Sequence, residues 1–91
     1  MGAKFQISFT LEALDQLTEF VKSDPNTTKK IMSLISDCSM HPENGKGHPE
    51  KLKGDLSGKW SRRIDKQNRM VYEITDEMVW ILSLKGHYGD K

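Results

Sequence analysis

Residues 60–84 read WSRRIDKQNRMVYEITDEMVWILSL, and this stretch decides the fold because it supplies most of a predicted sheet. Apolar, β-branched and aromatic residues recur in three runs, as is typical of strands: Trp60–Ile64, Arg69–Thr75 and Met78–Leu84. A short polar turn at Asp76-Glu77 separates the last two runs, so they are predicted to form a hairpin. The pattern indicates an antiparallel strand meander in the C-terminal part of the chain.

The part of the chain before Pro42 predicts one short strand and two helices. Residues 4–9 (KFQISF) alternate between polar and apolar side chains, and Thr10 is placed to cap a helix that follows. Asp24-Pro25 is a second helix start, and this second helix should end before Pro42. Apolar residues recur at helical spacing in both segments: Leu11, Leu14, Leu17, Phe20 and Val21 in the first, and Ile31, Leu34, Ile35 and Cys38 in the second.

This order of elements is typical of an α+β domain. A strand, two helices and a strand meander place the helices on one face of an antiparallel sheet. The other face would then be free to bind a partner. A chain of 91 residues is sufficient for one domain, which is predicted to span residues 1–91.

The composition excludes several classes of protein. The single cysteine, Cys38, permits no internal disulfide and fits a reducing compartment, and its place on the second helix predicts a core residue. The N-terminus has no apolar run typical of a signal peptide, and no segment approaches the ~20 apolar residues of a membrane span. We therefore expect a cytoplasmic protein without a membrane partner.

The charge is unevenly distributed along the chain. The net charge is only +1, but the 25 residues from Gly45 to Arg69 hold eight basic and three acidic residues, a local net charge of +5. Such a stretch favours a polyanion such as RNA, and a solvated charged face is the alternative. His41, His48 and His87 lack the spacing of a zinc site, so we expect no metal and no cofactor.

Several residues could carry out metal-free RNA cleavage. That reaction requires a base that takes a proton from the 2′-OH, cations that stabilise the phosphorane, and an acid that protonates the departing 5′ oxygen. Residues of these types lie in or beside the predicted strands: Glu50, Lys53, Arg62, Arg63, Arg69 and His87. Taken alone, a surface ion pair of Glu50 with Lys53 and a solvated strand edge at Arg62 and Arg63 are the simpler readings.

Three strand aromatics also have two readings. Trp60, Tyr72 and Trp80 alternate with apolar neighbours, so we expect them to pack in the sheet rather than to stack on nucleic-acid bases.

Four segments together resemble a known family. The chain contains GKGHPEKLK at 45–53, LSGKWSRRI at 56–64, NRMVY at 68–72 and HY at 87–88. In this order and spacing they resemble the YoeB-type toxins of the RelE superfamily, which are messenger-RNA interferases. The resemblance extends over nearly the whole chain in the order of its elements.

The resemblance implies an activity and residue roles. It implies a RelE-like, microbial-ribonuclease-like fold and an endoribonuclease that cleaves messenger RNA in the ribosomal A site. Glu50 would be the general base, His87 the general acid and Tyr88 a supporting residue, and Arg69 would stabilise the transition state. Lys53 and Arg63 would be nearby cations on the phosphate, and the basic stretch adds three further expected RNA contacts, which are Arg62, Lys51 and Lys46.

The resemblance also implies partners. A cognate YefM-like antitoxin would inhibit the toxin, and operator DNA would be bound only through the complex with that antitoxin. A homodimer is left open. The alternative function is a non-catalytic module that binds RNA, the ribosome or an antitoxin. The presence of both Glu50 and His87 favours the enzyme, since binding alone requires neither.

Overall fold

The computed structural model describes residues 4–86 and contains five strands and two helices. Their bounds are β1 Gln6–Phe9, α1 Leu11–Ser23, α2 Pro25–Met40, β2 Glu50–Lys51, β3 Lys59–Arg63, β4 Arg69–Thr75 and β5 Met78–Ser83. One turn of 3-10 helix, Gly54–Leu56, connects β2 to β3. The strands form one sheet in the order β1-β5-β4-β3-β2. The predicted α+β order of a strand, two helices and a strand meander is therefore confirmed.

The sheet differs from the prediction in two respects. It is mixed rather than wholly antiparallel, because β1 pairs with β5 in parallel and places Phe9 opposite Ile81. It also includes the two-residue strand β2, which the sequence did not predict, with Glu50 opposite Ser61. Both features depend on pairing between distant residues, so no local pattern marks them.

Both helices begin where the sequence predicts. The Thr10 side chain accepts a hydrogen bond from the Ala13 N–H at 3.1 Å, and the Asp24 side chain accepts one from the Thr27 N–H at 3.1 Å. Pro25 occupies the first turn of α2, where its missing N–H costs nothing. Neither helix within residues 4–86 is long and apolar enough to span a membrane.

The core lies between the two helices and one face of the sheet. Period-two alternation sends Met70 and Tyr72 of β4 toward the helices, where Cys38 is fully buried as predicted. Trp60 and Tyr72 stack with ring centroids 6.5 Å apart, so these two aromatics pack in the sheet. In α1 the inward face contains Ala13, Leu17 and Phe20, whereas three of the predicted apolar positions are exposed: Leu11, Leu14 and Val21.

A fully buried guanidinium, that of Arg62, joins three parts of the fold. Its Nε donates to Tyr72 Oη at 3.1 Å, and its Nη1 donates to Asp37 Oδ2 at 2.7 Å. The remaining hydrogen bonds go to backbone carbonyls of the loop after α2, those of His41, Asn44 and Lys46. Arg62 therefore ties this loop, residues 41–49, to both the helix and the sheet.

The pKa values of the Arg62 partners follow from this burial. Burial opposes ionisation of Tyr72 and raises its pKa to about 12. Burial also acts to raise the pKa of Asp37, but the Lys46 N–H and the Arg62 guanidinium outweigh it, and the pKa of Asp37 is lowered. At neutral pH the network therefore holds an ionised Asp37 against Arg62 and a neutral Tyr72, whose hydroxyl donates to the Pro42 carbonyl at 2.7 Å.

The glycines of the 45–53 motif allow the loop to approach this network. Gly45 has φ +105° and Gly47 has φ +82°, in the left-handed region that disfavours residues with a Cβ. A Cβ at Gly45 would collide with the Asp37 carboxylate, and one at Gly47 would lie 2.9 Å from Leu34 Cδ2. Both positions therefore require glycine.

We predict that Arg62→Met lowers the free energy of unfolding by about 3–5 kcal/mol, because it leaves the Asp37 carboxylate without its cation and the loop carbonyls without their donor. The matched control is Arg63→Met, next in the chain but exposed, which should change stability by about 0.5 kcal/mol or less. Urea unfolding followed by circular dichroism measures both. Equal effects of the two substitutions would contradict the assigned role of Arg62.

The Asp37 carboxylate makes part of this stability dependent on pH. Because its pKa is lower in the folded state, its contribution is complete above the ordinary carboxyl range and is lost as pH falls through the folded-state pKa. Asp37→Asn should therefore cost about 2 kcal/mol at pH 7 and less at pH 3, where the contribution of the carboxylate has begun to fall. Urea unfolding of both proteins at the two pH values tests this, and a difference that does not shrink at pH 3 would refute it.

Candidate active site

The face of the sheet that points away from the helices, here called the open face, carries the polar positions of the central strands. These include Ser61 and Arg63 on β3 and Arg69 on β4, since Arg63 pairs with Arg69 and Ser61 pairs with the apolar Val71. Glu50 joins this face because it lies opposite Ser61 on the edge strand β2. The short strand β2 thus brings Glu50 beside the two arginines.

Glu50 and Arg69 form an ion pair across β3. The distance between Arg69 Nη1 and Glu50 Oε1 is 3.4 Å, long for a charge-assisted hydrogen bond. The Arg69 side chain is 9% exposed, whereas that of Glu50 is 65% exposed. A rigid, nearly buried cation therefore faces a carboxylate that solvent and a substrate can reach.

Arg63 and Arg69 occupy directly opposite positions on neighbouring strands. Like charges placed opposite one another in a sheet destabilise it unless an anion offsets them. Glu50 supplies a negative charge here through its ion pair with the Arg69 guanidinium. Guanidinium groups bind phosphate oxygens in bidentate geometry, so this arrangement suits an anionic ligand such as a phosphodiester.

The chain returns to the site at Gly86. The backbone N–H of Arg69 donates to the Gly86 carbonyl at 3.0 Å, and the Gly86 N–H donates to Asn68 Oδ1 at 3.1 Å. Gly86 has φ +97°, which favours glycine at this turn. The residues predicted as general acid and supporting tyrosine, His87 and Tyr88, come next in the sequence and lie outside the described residues.

The other predicted RNA contacts do not all gather at Glu50. The prediction that Arg62 contacts RNA must be corrected. Its side chain points toward the helices and is 0% exposed, so it cannot reach a phosphate on the surface. Lys51 lies on the face opposite Glu50, with Nζ 5.9 Å from the centre of the Trp60 ring. Lys46 lies against α2, where its Nζ donates to Ser33 Oγ at 3.0 Å. Lys53 is exposed, three residues after Glu50.

Three residues near the site had no role predicted from the sequence. Asn68 holds the Gly86 backbone through its side-chain oxygen, and Asp65 in turn accepts hydrogen bonds from the Asn68 N–H and amide. Ser61 is fully buried on the same face as Glu50 and Arg69. An asparagine in a turn is a recognisable signal, whereas a serine within a strand is not.

Within residues 4–86 no cluster of three or more acidic, histidine or cysteine side chains could hold a metal ion.

A family model described as the YoeB-like toxin of bacterial type II toxin–antitoxin systems matches residues 9–88. The chain belongs to this family. A relative named toxin YoeB from Streptomyces coelicolor is 45% identical over 83 residues, which cover 91% of this chain and 99% of the relative. The match extends over all the segments that carry the open face.

Solved YoeB structures have the same fold. A YoeB/ParE toxin from Agrobacterium tumefaciens matches with a TM-score of 0.88 and 33% identity, covering 91% of this chain and 99% of that one. The toxin in a YoeB–YefM complex from Staphylococcus aureus matches with a TM-score of 0.84 and 36% identity, covering 94% and 100% of the two chains. A YoeB dimer from the same organism matches with a TM-score of 0.86 and 37% identity over the same coverage.

Proposed function

We propose that this YoeB family member is a ribosome-dependent endoribonuclease that cleaves messenger RNA in the ribosomal A site. The observation that carries the proposal is the accessible Glu50 carboxylate paired with Arg69 on the open face, where Arg63 occupies the position opposite Arg69. A base next to paired guanidinium groups is the combination that metal-free phosphodiester cleavage requires.

In the proposed reaction, Glu50 takes the proton of the 2′-OH and the 2′ oxygen attacks the adjacent phosphorus. The bond from phosphorus to the 5′ oxygen then breaks, and His87 donates a proton to that oxygen. The products are a 2′,3′-cyclic phosphate on the upstream fragment and a 5′-OH on the downstream fragment. Protons and charge are balanced in this reaction, and no further reactant is required.

Arg69 is the main electrostatic group of the proposed site. Its side chain is 9% exposed and its strand is paired on both sides, so its guanidinium is already oriented before the substrate arrives. Such preorganised charge stabilises a dianionic phosphorane more than a mobile charge does. Arg63 and Lys53 extend the cationic surface around Glu50, and Tyr88 supports the site beside His87.

The proposed partners follow from this activity. A YefM-like antitoxin inhibits the enzyme. This part of the proposal is supported by the YoeB–YefM complex among the matching structures. Operator DNA is contacted only through the antitoxin complex. Because the substrate is messenger RNA on the ribosome, the protein acts in the cytoplasm, and association of two copies is supported by the matching YoeB dimer.

The test is cleavage of messenger RNA on programmed ribosomes. Glu50→Gln should lower the rate by about 10²–10⁴-fold, because it removes the base while preserving side-chain shape. Thermal unfolding should be nearly unchanged, since Glu50 is 65% exposed and its ion pair is long. Upstream fragments from the wild-type protein should end in a 2′,3′-cyclic phosphate. A 3′-OH end, or full activity of Glu50→Gln, would refute the mechanism, and binding without cleavage by the wild type would favour the non-catalytic module.

Arg69→Lys should reduce the cleavage rate severely, by about 10²-fold, although the charge is retained. A lysine supplies one ammonium point charge and cannot reproduce the bidentate geometry of a guanidinium on a phosphate. The matched control is Arg63→Lys, directly opposite on β3 but exposed, which should retain more activity. Single-turnover rates of both variants on programmed ribosomes measure the difference. Wild-type cleavage by Arg69→Lys would mean that charge alone is sufficient.

A further inference from the structure

The hydroxyl of Ser61 is unusual among the buried polar side chains of residues 4–86. Ser61 is 0% exposed, and its Oγ has no hydrogen-bond partner among the described residues. A buried hydroxyl without a partner loses its bonds to water and gains none in return, which costs stability. The other buried hydroxyls near the loop and helices have partners, such as Ser39 Oγ, which donates to the Ser36 carbonyl at 2.7 Å.

The position of Ser61 connects it to the site. It is the residue of β3 directly opposite Glu50 on β2, and it lies two residues before Arg63 on the same face. Directly opposite residues have Cβ atoms about 4.5–5.5 Å apart, so a staggered rotamer of Ser61 can bring its hydroxyl to the Glu50 carboxylate. The ion pair from Arg69 to Glu50 crosses the face of β3 on which Ser61 lies.

We propose that Ser61 is a positioning residue that donates a hydrogen bond to Glu50 when an RNA phosphate engages Arg69. This inference rests on the proposed function. In the structure Arg69 Nη1 lies 3.4 Å from Glu50 Oε1, a long contact that an anionic RNA phosphodiester can replace. Glu50 then loses a cation at the step in which it must remain ionised to act as a base. The Ser61 O–H stabilises the carboxylate and fixes its orientation toward the 2′-OH.

The arrangement has a consequence for stability as well as for rate. Before RNA binds, the unpartnered hydroxyl is a cost, and it becomes useful only in the complex. Residues at active sites commonly show such a conflict between stability and activity. Removing the Ser61 hydroxyl should therefore leave the free protein equally or more stable while it impairs the reaction.

The experiment compares four proteins in single-turnover cleavage on programmed ribosomes between about pH 5.5 and 8.5: wild type, Ser61→Ala, Ser61→Thr and Ser83→Ala. Ser61→Ala should cleave about 10-fold more slowly at saturating concentrations of ribosomes. The acidic limb of its pH–rate profile should move to higher pH by about one unit, because a hydrogen bond to the ionised base is lost. KM should stay within about 3-fold, and Tm should equal or exceed that of the wild type. Ser61→Thr keeps a hydroxyl and should recover most of the rate.

Ser83→Ala is the matched control. Ser83 is a buried serine on the open face, in the same row as Ser61 but roughly 14 Å from Glu50 across three strand spacings. It should keep the wild-type rate and pH profile. An unchanged rate and acidic limb in Ser61→Ala would overturn the inference, and so would a lowered Tm, which would show that the hydroxyl already has a partner.

The two proposals fail in different ways. If the wild type cleaves, Glu50→Gln does not, and Ser61→Ala behaves as wild type, the inference about Ser61 is wrong and the proposed function stands. If the wild type does not cleave RNA, the proposed function fails and the role of Ser61 fails with it.

Discussion

The buried hydrogen bonds of Arg62 are the constraint on which the rest of the structure depends. A guanidinium with no exposed surface must have every donor satisfied, and here the acceptors come from α2, from Tyr72 and from three carbonyls of the loop at 41–49. That loop leads directly into β2. The desolvation of one residue in the core therefore determines where Glu50 lies on the opposite face.

Adjacent arginines on β3 have different roles because successive side chains of a strand point to opposite faces of the sheet. Arg62 holds the loop on the side of the helices, and Arg63 lies exposed on the open face across from Arg69. The strand thus connects the structural network to the proposed catalytic surface within two residues. Few residues are therefore needed to build the site. Any change in the register of β3 would disturb the Arg62 network and the open face together.

The sequence predicted the elements that local chemistry marks. The caps at Thr10 and Asp24 and the turn at Asp76-Glu77 are short-range signals, and each lies where it was expected. The strand β2 and the parallel partner of β1 depend on distant pairing and were not predicted. Arg62 was assigned to RNA from its charge alone, although its period-two relation to Trp60 and Ile64 indicates the core face. The roles of Glu50 and Arg69 came from the family resemblance, and the sheet register now gives them a common location.

The parallel pairing of β1 with β5 has a consequence for the synthesis of the protein. The first strand cannot complete its hydrogen bonds until β5, the last strand within residues 4–86, has been inserted between β1 and β4. Contacts of such large sequence separation form late in folding. The growing chain thus carries an unfinished sheet until β5 emerges, and a ribosome making this toxin is not exposed to its folded form before that point.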